Sequence, residues 1–127
     1  MALSRTERNQ QIEHTLADLA SLRGVTTAAL VDSDGFVTHI RKDFEIDTDA
    51  LGAAVQIVYA ATHRAAEQVA HDATKLILSE NKGGVMILGP LIRGFVLTLV
   101  ADESAMLGTM RFELKETIPV LNELLGS

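Results

Sequence analysis

The sequence predicts an α/β (α+β) sandwich of order αββαβββα. A five-stranded antiparallel sheet carries one long middle helix on one face and two terminal helices on the other. Three observations support this. The hydrophobic period switches between helical and alternating along the chain. The connections joining the last three strands are short enough to require hairpins. The chain is 127 residues long, 47% hydrophobic and 22% charged, which is one domain's worth and enough to bury a core without disulfides.

Over residues 6–22, Ile12, Leu16 and Leu19 recur at helical spacing, and Gly24 follows as a helix stop. Residues 26–31 are apolar on both alternating faces (Ala28 and Leu30, Ala29 and Val31), which suits a central strand covered on both sides. Asp32-Ser33-Asp34-Gly35 reads as a tight turn. Residues 36–40 return as an edge strand, guarded by Arg41-Lys42-Asp43. Asp47 and Asp49 cap and charge the start of a long helix over residues 48–71. Strands over 74–80, 85–88 and 95–101 form an antiparallel meander, broken by Asn81-Lys82-Gly83-Gly84 and by the segment from Gly89-Pro90 to Gly94. Asp102-Glu103-Ser104 caps a last helix with the stripe Leu107, Met110, Leu114, Leu121 and Leu125. Pro119 should kink or restart it, with Thr117 as the new cap.

Composition excludes several functions. Cysteine is absent, which removes disulfides, thiolate metal sites and cysteine nucleophiles, and suits a reducing compartment. A net charge of −6 and an aromatic content of 4% argue against nucleic-acid binding and against anionic membranes. The polar N-terminus is unlike a signal peptide, and no apolar run is long enough to span a bilayer. The expected location is cytoplasmic.

Catalytic constellations are missing too. There is no P-loop, no nucleophile elbow and no H-E-x-x-H, so no catalytic residue, metal or cofactor is expected, nor nucleotide binding through a phosphate loop. Asp32-x-Asp34-Gly35 lacks the later ligands of a calcium loop and is better read as a turn. His63 and His71 lie about two helical turns apart, too far to chelate one ion alone. Met86, Met106 and Met110 read as core filler.

The long helix has more apolar surface than one sheet needs. Leu51, Val55, Val58, Thr62, Ala65 and Val69 form the stripe expected against the sheet. A second arc holds Ala50, Ala53, Ile57, Ala60 and Ala61, small enough on the whole for another helix to come close. The remaining arc, Gln56, Tyr59, His63 and Glu67, should face outward. The pattern points to self-association across a two-fold axis, the alternative being an ordinary mixed surface whose alanines simply favour helix.

The ordered set of segments resembles a known family. The stretches are Leu19-Ala20-Ser21-Leu22-Arg23-Gly24-Val25, then Ala29-Leu30-Val31-Asp32-Ser33-Asp34-Gly35-Phe36-Val37, then the alanine-rich helix after Asp49. The meander with Leu76-Ile77-Leu78, Gly84-Val85-Met86-Ile87-Leu88 and Phe95-Val96-Leu97-Thr98-Leu99-Val100 follows, and Leu107-Gly108-Thr109-Met110-Arg111 closes the set. Together they resemble the Roadblock / dynein light chain family, in particular its bacterial branch of MglB-like regulators of Ras-like GTPases. The likeness covers about residues 12–125, within a single domain spanning 1–127.

The resemblance implies a homodimer or heterodimer, here expected as a homodimer, whose middle helices pack antiparallel and whose third strands join into one continuous sheet. Carried onto this chain, the interface would comprise Ala50, Ala53, Ile57, Ala60, Ala61 and Arg64 on the helix, with Lys75, Ile77 and Ser79 on the joining edge. Gln56, Tyr59, His63 and Glu67 would be open to a Ras-like small GTPase. The resemblance implies a non-enzymatic regulator or scaffold, able to stimulate GTP hydrolysis without supplying a catalytic residue. A dimeric ligand-sensing or complex-scaffolding module with no GTPase partner is the alternative.

Overall fold

The computed structural model describes residues 3–126. Its elements are α1 (Arg5–Ala20), β1 (Val25–Val31), β2 (Val37–Lys42), α2 (Thr48–Gln68), β3 (Ile77–Asn81), β4 (Gly84–Pro90), β5 (Val96–Asp102) and α3 (Leu107–Gly126), with a single 3₁₀ turn at Ile92–Gly94. The order αββαβββα is as expected. All strand pairs are antiparallel and the sheet runs β2-β1-β5-β4-β3. The meander places β3, β4 and β5 side by side, and β1 closes on β5. That pairing joins strands far apart in sequence, so no hairpin signal announces it.

α1 and α3 lie together on one face. Ile12, Leu16 and Leu19 meet Met110, Leu114, Leu121 and Leu124 over Ala28, Leu30, Ile87, Leu97 and Leu99. α1 begins with a full capping box: the Ser4 hydroxyl accepts from Glu7 N at 3.1 Å and the Glu7 carboxylate accepts from Ser4 N at 3.2 Å. α2 lies alone on the other face, over a cluster of Val31, Val55, Leu88 and Val96. That face also buries Thr27 and Thr98, whose hydroxyls find no partner among the described residues.

Several local expectations need correction. α1 ends at Ala20, and Gly24 is not its cap: at φ +81 it sits so close to Ala105 that a Cβ would come within 2.5 Å of the Ala105 nitrogen. Asp102-Glu103-Ser104 is a turn ahead of α3 rather than its cap, with the Asp102 carboxylate accepting from Ser104 N and Oγ. α3 runs through Pro119 as one helix. Thr117 turns its hydroxyl back to Glu113 O at 2.7 Å instead of starting a new helix. β3 begins at Ile77, where its pairing with Leu88 of β4 starts, so Lys75 lies ahead of the strand. Met110 is buried, but Met106 is exposed and fills no core.

Candidate interaction site

α2 starts at Asp47, whose carboxylate accepts from Ala50 N at 3.0 Å. Its rotation about its own axis is set by a backbone contact. A Cβ on Gly52 would lie 2.0 Å from Gly35 O, so only glycine lets the helix come this close to the β1–β2 turn. That turn is itself fixed: the Asp32 carboxylate accepts from Asp34 N at 3.0 Å and from Phe36 N at 2.9 Å, with Gly35 at φ +86. One turn along α2, the Gln56 amide donates to Asp32 O at 2.8 Å and to Gly94 O at 2.9 Å. Tyr59 then packs against the Val31–Val55–Leu88–Val96 cluster, its ring centroid 6.1 Å from that of His63.

The arc Gln56, Tyr59 and His63 therefore does not face outward as expected; all three are part-buried. Glu67 alone of the four is exposed, with its carboxylate 4.0 Å from His63 Nε2. The physical reason is the Gly52–Gly35 approach, which overrides the preference for burying the largest aliphatic stripe. Val58, Ala65 and Val69, expected against the sheet, are exposed instead, Val69 at 63%.

The outward face of α2 is consequently more apolar than expected. Ala50, Ala53, Ala54, Ile57, Val58, Ala61 and Ala65 share it, and Ile57 is 69% exposed. Ala60 and Arg64 are exposed on its flank. A run of this kind on one helix is what interaction surfaces carry. At the end of the sheet on the same side as Leu88, Ile77 and Ser79 are half-buried on β3, and β3 pairs with β4 alone. Phe36, 63% exposed beside the Gly35 turn, is an aromatic side chain outside the residues predicted for the site. A large aromatic directly after a turn glycine, opening an edge strand, was the available signal.

Among the described residues no group of three or more His, Asp or Glu side chains could hold a metal ion, and no helix is long and apolar enough to cross a membrane.

The profile of the Roadblock/LC7 domain matches residues 11–101. The chain belongs to the Roadblock/LC7 family. No curated protein matches it in sequence. Among solved structures this Roadblock/LC7 chain is similar to MglB of Myxococcus xanthus, with TM-score 0.85 at 19% identity, covering 91% of this chain and 95% of that one. It is also similar to the gliding protein MglB of Thermus thermophilus, with TM-score 0.87 at 20% identity, covering 98% and 94%. An MglB solved in a tetrameric arrangement has TM-score 0.87 at 20% identity, covering 98% and 93%. These likenesses share the Roadblock fold, including the order of helices and strands.

Proposed function

We propose that this Roadblock/LC7 protein is a non-enzymatic, dimeric regulator of a Ras-like small GTPase. The observation behind this reading is the unpartnered apolar face of α2. Ile57 at its centre is open to solvent in a single chain, and the alanines around it allow a second helix axis to approach to about 8 Å. In this reading the α2 helices of two chains pack antiparallel through Ala50, Ala53, Ile57, Ala60, Ala61 and Arg64. The β3 edges join through Ile77 and Ser79, with Lys75 just ahead of them. Assembly of an MglB with the same fold into a tetramer supports self-association. Family membership supports the GTPase, and Phe36 supplies an exposed aromatic anchor next to α2.

Light scattering at micromolar concentration tests the dimer. Wild type should run as a dimer and Ile57→Glu as a monomer, because the seam would otherwise bury unpaired carboxylates. A monomeric wild type would end this part of the reading. Capture from the native host, with GDP and with a non-hydrolysable GTP analogue, tests the partner. A small GTPase should be retained preferentially in the GTP form, whose switch loops are ordered. Phe36→Ala should weaken that capture by about 1 kcal/mol or more while leaving the dimer intact. Retention of no GTPase in either state would reject the proposal.

A further inference from the structure

On the α1–α3 side, away from the α2 face, an open cleft of about 410 Å³ lies between the start of α1, β2 and the 3₁₀ turn. Its rim carries Arg5, Arg8 and Arg93, and its floor is Ile12, Leu30 and Phe95. Among the described residues no acidic side chain lines it, although the chain as a whole has a net charge of −6. Neither Arg5 nor Arg93 is in an ion pair among the described residues.

The three arginines reach this rim against local preference. Arg5 and Arg8 occupy the first turn of α1, where the helix dipole disfavours cations. Arg93 sits at φ 58, ψ 26, a left-handed backbone conformation uncommon for a side chain of this size. Its loop is held rigidly. Leu91 N donates to Phe95 O at 2.7 Å, Ile92 N donates to Asn122 Oδ1 at 2.9 Å, and Gly94 O accepts from Gln56. The guanidinium is thus mounted on a fixed backbone. His39, also at the rim, has both ring nitrogens engaged, with Thr38 Oγ1 at 3.0 Å and Asn9 Oδ1 at 3.3 Å.

We propose that this cleft binds a small soluble phosphate monoester with an apolar body. Arginine forks match the oxygens of a phosphate, and a dianion suits several of them at once. The apolar part of the ligand would rest on Phe95 and Leu125, the partly exposed apolar side chains of the lining, and the cleft volume is of small-molecule size. The site is built from side chains and needs no phosphate loop. The acidity of the whole chain disfavours an anionic membrane as the source of the phosphate.

The test is an NMR amide titration of the intact protein with phenyl phosphate, with inorganic phosphate as the headgroup alone. Phenyl phosphate should produce saturable shifts around residues 5–12, 38–39 and 93–95, and inorganic phosphate should bind more weakly. Arg93→Gly removes the guanidinium while suiting the left-handed backbone, so it should fold like wild type and bind about tenfold more weakly. Arg5→Gln should have a similar effect. Lys82→Gln, in the β3–β4 turn, should have none. Absence of saturable shifts with phenyl phosphate, or unchanged affinity in both arginine variants, would overturn the proposal. Sedimentation with phosphatidylcholine vesicles containing phosphatidic acid should be negligible. Co-sedimentation that Arg93→Gly abolishes would move the ligand to a membrane and overturn the soluble source.

Discussion

One face of the sheet is covered by two helices over a cluster of fifteen buried residues, and the other by a single helix over a cluster of four. The first buries its largest aliphatic side chains, with Leu16, Leu114 and Leu121 fully enclosed, although the outer side of α3 leaves Phe112 and Val120 exposed. The second leaves Ile57 and Val58 in water and buries two threonine hydroxyls without partners among the described residues, an arrangement that costs rather than adds stability. The α1–α3 face carries most of the buried core, whereas the α2 face carries little of it.

Truncation on each face tests this contrast most strongly. Leu114→Ala should lower the unfolding free energy by about 2–5 kcal/mol, because it opens a cavity between α1, α3 and the sheet. Val55→Ala, on the α2 face, removes less buried apolar volume and should cost about 1–2 kcal/mol. Urea denaturation of both variants at one protein concentration compares them. Equal costs would mean that the α2 face contributes as much as its opposite.

A smaller effect is expected at Gln56. Gln56→Ala strips the side-chain donor from Asp32 O and Gly94 O, and should cost about 1–3 kcal/mol. It should also loosen the rotational setting of α2, seen as faster amide exchange in the β1–β2 turn. Unchanged exchange there would mean that the Gly52–Gly35 contact alone sets the helix.

The smallest effect belongs to the other face and is read through pH. Burial holds the His39 pKa below its ordinary 6.5, against the opposing pull of Glu13. The unfolded chain therefore takes up this proton at a higher pH than the folded one. Stability attributable to His39 is present above about pH 6.5 and falls as the pH drops through the folded pKa. His39→Gln should flatten the stability profile just below about pH 6.5. His39 is only half-buried, so the change is modest. A steeper profile in the variant would show that the sign is wrong.

Much of the architecture was legible because it is local. The Asp32–Gly35 turn, the meander and the three helices all announce themselves through hydrophobic period and turn chemistry. The family likeness rested on the same stretches. What was not legible depended on contacts between distant segments. The face that α2 turns to the sheet is decided by Gly52 against Gly35, and a helical wheel weighted by side-chain size counts glycine as nothing. Such a wheel turns Gln56, Tyr59 and His63 outward, whereas Gln56 and Tyr59 hold α2 to the rest of the chain through hydrogen bonding and packing. The cationic cleft was equally invisible. Its three arginines come from α1 and from the loop before β5, and nothing in their spacing brings them together. Pro119 does not restart α3: at an exposed position the carbonyl that loses its amide partner can turn to water, and the helix continues to Gly126.

The short loop around Arg93 has a mechanical consequence. It joins the inner strands β4 and β5, and it is gripped from both layers: Asn122 of α3 accepts from Ile92 N, and Gln56 of α2 donates to Gly94 O. It behaves as a rivet through the sheet. Sliding of the α2 layer against the α3 layer must stretch one of these two bonds or drag the loop along. The sandwich is thus pinned against shear at this end, where the helices on opposite faces share one piece of backbone.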